Sequence, residues 1–195
     1  MKIAVLSDTH ENFHNLVLAL KKIEASDAEQ ILFLGDFVNP MIAQLLSLMP
    51  IPVFAIWGNN DGEKHFMTRE SLREGSNLTL SNNIYDFVEF AGRKIFLSHF
   101  PDLAKVVAKS GEFDAVFYGH NHLKNKDQID DCFVLNPGEV SAQKTGVSTF
   151  AIYDTETNDA DFIELEDAIT VTTDLAKEYM EEKKRVWNKS KDHQY

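Results

Sequence analysis

The first half of the chain is written in apolar blocks that switch period. Lys2–Leu6 is a short apolar run with the length of a buried strand. His14–Ala25 follows, with Leu16, Val17, Leu20 and Ile23 at a helical spacing. Gln30–Leu34 is a second apolar run. Pro40–Met49 predicts a second helix, its proline suited to a first turn where no N–H is needed. Pro52–Trp57 predicts a third strand, and Glu63–Glu74 a third helix closed by Gly75. Strands and helices in this alternation predict a parallel sheet with right-handed crossovers.

The second half is richer in strands. Ile84–Phe90 and Lys94–Ser98 flank Ala91-Gly92-Arg93 and read as a hairpin. Leu103–Lys109 predicts a short helix. Asp114–Tyr118, Cys132–Leu135, Thr149–Tyr153 and Asp161–Leu165 predict further strands, with Asn158 and Asp159 in the last turn. A second sheet packed on the first is expected, in one α/β domain over residues 1–168. Thr170–Trp187 predicts a charged helix. With Lys183, Lys184, Arg185, Lys189 and Lys191 it makes residues 169–195 a C-terminal helix and basic tail.

Composition narrows the function. At 195 residues, 44% hydrophobic and 26% charged, the chain is ordinary globular material with room for a sizeable core. Its formal net charge of −12 repels nucleic acid phosphates and argues against a nucleic acid partner. Met1–Leu6 is too short for a signal peptide core, and no run has the ~18 apolar residues of a membrane span. The single Cys132 rules out an internal disulfide framework. It reads as a small buried apolar side chain in a cytoplasmic protein.

The chemistry lies where the apolar runs stop. Ile3–Leu6 leads to Ser7-Asp8-Thr9-His10, and Ile31–Leu34 to Gly35-Asp36. Val53–Trp57 leads to Gly58-Asn59-Asn60-Asp61, Ile95–Leu97 to Ser98-His99, and Val116–Tyr118 to Gly119-His120-Asn121-His122. In open α/β sheets the carboxyl ends of strands border the ligand crevice, so these residues can converge there. Asp8 and His10 are two apart; in an extended segment they would share a face, with Cα atoms ~6.5–7 Å apart. His120 and His122 repeat that spacing. Each residue alone is a common cap, turn or hydrogen-bonding residue. Together they collect four of the chain's seven histidines. Carboxylate, imidazole and amide oxygen without thiolate suit Mn, Fe, Zn or Co. Seven candidate ligands are too many for one catalytic metal and fit two ions sharing a carboxylate. Asp36 is the candidate for the shared ligand.

Asp8-x-His10, Gly35-Asp36, Gly58-Asn59-x-Asp61, His99 and Gly119-His120-x-His122, in that order, resemble the calcineurin-like metallophosphoesterase superfamily. The compact layout and Asn136-Pro137-Gly138 are similar to its small bacterial and archaeal phosphodiesterase branch. The resemblance implies a four-layer α/β/β/α sandwich of two mixed sheets flanked by helices. It implies one metal on Asp8, His10, Asp36 and His122, and another on Asp36, Asn59, His99 and His120. The ions would be divalent, Mn2+ first, with Fe, Zn, Ni and Co as alternatives. It implies in-line attack on a small phosphodiester by a metal-bridging hydroxide. Asp36, Asn59, Asn60, His99 and His120 would be catalytic. The other readings are a phosphomonoesterase or nucleotide pyrophosphatase, or a protein-interaction scaffold on the same fold. A homo-oligomer is compatible with the chain, though no patch in it identifies one.

Two positions depart from the pattern. Many relatives carry histidine where Asn60 stands, and an amide cannot supply a proton at pH 7. That loss favours diesters with good leaving groups over alkyl monoesters. His14 and His65 are alternative acids, each expected at the surface. After the Asn-Pro-Gly turn comes Glu139 where relatives often have serine, and a carboxylate there is expected to repel an anionic substrate.

Overall fold

Ile3 and Val5 leave the first strand on one side, Ala4 and Leu6 on the other, and all four are fully buried. A strand buried on both faces needs a layer against each. The computed structural model, which describes residues 1–170, supplies them. Of the predicted Thr170–Trp187 helix and its basic residues, only Thr170 lies within that range.

The first sheet has six strands in the order β11 (Asp159–Glu164), β10 (Thr149–Asp154), β1 (Lys2–Leu6), β2 (Ala28–Phe33), β3 (Val53–Ala55) and β4 (Leu78–Leu80). From β1 to β4 the strands are parallel, and β10 joins β1 antiparallel. The second sheet has five, in the order β5 (Tyr85–Phe90), β6 (Arg93–Ser98), β7 (Ala115–Tyr118), β9 (Cys132–Asn136) and β8 (Asn125–Ile129). Here β6, β7 and β9 are parallel, with antiparallel strands at both edges.

The period of two sorts side chains into three cores. Ile3, Val5, Leu32 and Leu34 of the first sheet meet Ile95, Leu97, Phe117 and Leu135 of the second. Ala4, Leu6, Ile31 and Phe33 face outward against three helices. These are α1 (Phe13–Glu24), α2 (Pro40–Ser47) and α3 (Lys64–Ser71). Phe96, Val116, Cys132 and Val134 face outward from the second sheet against Ala104 and Ala108 of α4 (Pro101–Ala108). The result is the four-layer α/β/β/α sandwich of two mixed sheets that the resemblance implied. Each fully buried large side chain contributes about 1.5–3 kcal/mol.

Helix starts follow local chemistry. The Asn12 side chain accepts from Asn15 N at α1, and Asn39 caps α2 with Pro40 next. The Asn15 amide also donates to Val140 O and Ile169 O, tying the end of the described chain to α1.

Several expectations need correction. Strands β4 and β8 were not predicted. The first has three residues, and the second is a polar edge, Asn-Lys-Asp-Gln-Ile. Helix α3 stops at Ser71 with Leu72 as its cap; Gly75, at φ +78°, lies beyond it in the following turn. Asp159 belongs to β11 and not to the turn, where Asn158 takes φ +53°. Ile56 and Trp57 lie past the end of β3. The β5–β6 hairpin turns on Ala91 and Gly92 alone, both at positive φ, the backbone a two-residue turn demands.

Candidate metal centre

Strands β1, β2, β3, β6 and β7 each release a loop at their carboxyl ends, and the loops meet at one edge of the seam between the sheets. The chain cannot run extended there. Asp8 (φ +54°), His10 (+50°), Asp36 (+62°), His120 (+71°) and His122 (+68°) all adopt the left-handed conformation. For a non-glycine residue that costs roughly 1–2 kcal/mol. Asp8 and His10 therefore converge by tight turning and not by the extended geometry expected from their spacing. The loops lock together through Asp8 N→Gly35 O at 3.1 Å, His10 N→Asp36 O at 3.0 Å and Gly119 N→His99 O at 3.2 Å.

The seven residues singled out as ligands converge. His10 Nε2 and His122 Nε2 are 3.3 Å apart, and His122 Nε2 is 3.4 Å from Asp8 Oδ1. Asp36 Oδ2 lies 3.7 Å from His10 Nε2 and 3.5 Å from His99 Nε2, between the two halves. Asn59 Oδ1 sits 3.0 Å from His99 Nε2 and 2.7 Å from His120 Nδ1. Ligand atoms of Asp8, His10 and His122 lie within 4.8 Å of one another, as do those of Asp8, Asp36 and His99.

These residues fit cations. Asp8 Oδ2 accepts from Ser7 Oγ and His120 N, but Asp8 Oδ1 is buried with no hydrogen-bond partner among the described residues. A buried carboxylate oxygen left without a donor is costly, and a cation relieves it. His99 Nδ1 lies 2.7 Å from Leu34 O, so a ring proton sits there and Nε2 is the nitrogen that faces the centre. Burial depresses the pKa of His10 and His120, which keeps both rings neutral and able to donate electrons. Burial works against ionised Asp36. His99 beside it and the hydrogen bonds from Asn60 outweigh burial and hold that carboxyl well below its usual range. For His99 burial lowers the pKa, but the Asp36 carboxylate raises it and wins, favouring a second ring proton on Nε2, the position a cation would take instead.

Asn60, expected to meet phosphate, is turned onto Asp36. Its backbone N donates to Asp36 Oδ1 at 2.9 Å and its Nδ2 to Asp36 Oδ2 at 2.8 Å. His14 is exposed, with Nε2 3.0 Å from Asp167 O, and His65 is exposed on α3. Two other side chains matter more than their spacing indicated. Asp61 accepts from Gly58 N, Asp36 N and Val38 N, clamping two ligand loops together. Asp61→Ala is expected to cost at least about 1–3 kcal/mol in urea unfolding, since it strands buried donors. A cost under about 0.5 kcal/mol, ordinary for surface positions, would refute the clamp.

Glu139 is the second. It is fully buried, its carboxylate enclosed by donors of the protein. Its oxygens meet His122 Nδ1 at 2.6 Å, Ser141 Oγ at 2.5 Å, and the backbone N–H groups of Gln143, Lys144 and Thr145. The expectation that it repels substrate is therefore corrected. Nothing in the sequence marks a carboxylate for burial except the small hydroxyl residues that follow it.

Relatives share this architecture. The profile of the calcineurin-like phosphoesterase superfamily domain matches residues 1–158. Phosphodiesterase MJ0936 of Methanocaldococcus jannaschii is 34% identical over 160 residues, covering 80% of this chain and 94% of its own. Phosphodiesterase YfcE of Escherichia coli is 25% identical over 168 residues, covering 75% and 83%. The solved structure of an archaeal phosphodiesterase superposes with a TM-score of 0.75 at 30% identity, over 85% of this chain and 100% of that one. Vps29 of Entamoeba histolytica, at 14% identity and a TM-score of 0.60 over 85% and 100%, shares the fold. Among the described residues no helix is long and apolar enough to cross a membrane. With the superfamily profile spanning most of its length, the chain belongs to the calcineurin-like phosphoesterases and is a metal-dependent hydrolase of phosphoric esters.

Proposed function

We propose that the chain hydrolyses a small phosphodiester at a centre of two divalent cations, Mn2+ first among them. The observation that carries this reading is the position of Asp36 Oδ2 between His10 and His99, with Asp8 Oδ1 buried and unpartnered beside them. Asp8, His10, Asp36 and His122 would hold one cation; Asp36, Asn59, His99 and His120 the other. Bound there, the pair would lower the pKa of a coordinated water toward neutrality and offset charge on the phosphoryl oxygens.

The chain's own residues define which ester suits. Asn59 gives the second position a neutral oxygen where aspartate would add a charge. The Asn60 amide steadies Asp36 and has no proton to release to a leaving oxygen. General acid catalysis is typically worth about 10²–10⁴-fold, so esters whose leaving group needs a proton are poor substrates. A diester with a stable leaving anion is not penalised. The net charge of −12 disfavours a polyanionic substrate and supports a small one. Its setting is proposed to be the cytoplasm.

The test uses metal-free protein with added Mn2+ and compares bis-p-nitrophenyl phosphate with p-nitrophenyl phosphate. The diester is expected to turn over faster, and only with metal. Asn60→His is expected to raise monoester turnover by about 10-fold or more, short of the full value of an acid because its position is not optimised. Faster monoester cleavage by the unaltered protein would refute the diesterase reading.

A further inference from the structure

Glu139 has no part in the proposed chemistry, yet it is the most heavily bonded carboxylate of the described residues. Its Oε2 meets His122 Nδ1 at 2.6 Å, Ser141 Oγ at 2.5 Å and Gln143 N at 2.9 Å. Its Oε1 meets Lys144 N at 3.0 Å, Thr145 N at 2.7 Å and Thr145 Oγ1 at 2.8 Å. The loop can aim so many donors inward because Ala142 turns it at φ +56°, which brings successive N–H groups into one concavity. Among the described residues no basic side chain other than the His122 ring pairs with Glu139; the backbone neutralises it.

We propose that Glu139 is a positioning residue that fixes the His122 ring in the tautomer with the proton on Nδ1, leaving the Nε2 lone pair for a cation. Three backbone N–H groups are unambiguous donors to its two oxygens and favour the ionised carboxylate, which accepts on every bond. A carboxylate 2.6 Å from Nδ1 requires the ring proton there. His122 Nε2 then turns its lone pair toward Asp8 Oδ1 at 3.4 Å and His10 Nε2 at 3.3 Å. His99 achieves the same through a backbone carbonyl, Leu34 O. One half of the centre thus has its ring set by the main chain. The other depends on a single replaceable side chain.

The second arm of the test rests on the two-cation reading; the first does not. Full-length protein labelled with 15N at histidine is compared, metal-free, with Glu139→Gln. The glutamine is isosteric, and its amide can donate to Nδ1. The His122 shifts are expected to show Nδ1–H in the unaltered protein and Nε2–H in the variant. Titration calorimetry with Mn2+ is expected to show one of two binding events weakened about 10–100-fold in Glu139→Gln. Ser141→Ala removes a neighbouring bond to the same oxygen and is expected to lower thermal stability while leaving the tautomer unchanged.

An unaltered protein whose His122 carries its proton on Nε2 overturns the proposal even if the variant does not fold. So does a variant that keeps Nδ1–H, or one that binds Mn2+ as the unaltered protein does. If the unaltered protein takes up no cation, the two-cation reading fails and the tautomer comparison still decides the role of Glu139.

Discussion

Asp36→Asn is expected to lower Mn2+-dependent diester turnover by about 10³-fold or more, the upper end of what removing one stabilising group costs. It is also expected to leave fewer than two cations bound per chain. Asparagine is the informative replacement because the backbone at this position is left-handed, φ +62°, a conformation asparagine tolerates and alanine resists. The substitution keeps the shape, one oxygen and the loop. It removes the negative charge between His10 Nε2 and His99 Nε2 and presents an amide donor to one of them. Asn60, which now donates to Asp36 Oδ2, can then face a second N–H₂ group. Stoichiometry by calorimetry and turnover on bis-p-nitrophenyl phosphate check the result. Two cations bound with unchanged affinity would refute Asp36 as the shared ligand.

Gly58→Ala is expected to be nearly as severe without replacing a candidate ligand. A Cβ at Gly58 would lie 2.2 Å from Asp36 Oδ1 and 2.4 Å from Asp36 N. Neither strand end can retreat easily. Asp61 Oδ2 holds Gly58 N at 2.6 Å and Asp36 N at 3.1 Å, so the clash falls within a clamped pair of loops. Overpacking of this kind costs about 1–3 kcal/mol, and displacing a ligand by about 1 Å can cost 10²-fold in rate. At Gly62, further along the same loop, a Cβ would meet nothing within 4 Å, and Gly62→Ala is expected to behave as the unaltered protein. Thermal unfolding and diester turnover on the two variants side by side make the comparison. Equal behaviour would mean the close approach of the two loops is not needed.

The ends of the apolar runs were legible because a parallel sheet brings its loops to one edge, and Asp, Asn or His recurs at one run end after another. Asp8, Asp36, Asn59, His99, His120 and His122 could be picked out on that ground alone. The geometry was not legible. Spacing of two suggested extended segments, and the left-handed turns at Asp8, His10, His120 and His122 leave no mark in composition. Strand β8 is hidden in the sequence because its partner β9 carries the apolar side of the pair; its central side chains, Lys126, Asp127 and Gln128, face water. Glu139 is hidden for a related reason. Charge predicts exposure, and only the turn at Ala142 and the N–H groups behind it make burial tolerable.

The order of strands in the first sheet has a consequence for how the molecule comes into being. Strand β1 precedes every other described strand along the chain, but one of its two neighbours is β10, paired from Lys2↔Asp154 to Val5↔Ala151. The loop carrying Asp8 is likewise completed late, when Ser141 N reaches Asp8 O and Val140 N reaches Ser7 O. Contacts between segments far apart in a chain close slowly, because the loop entropy is lost before the pairing energy is gained. Until β10 has been made, the nascent chain thus carries its aspartates and histidines apart from one another. The candidate ligand set is therefore expected to gain its affinity for metal as β10 closes onto β1.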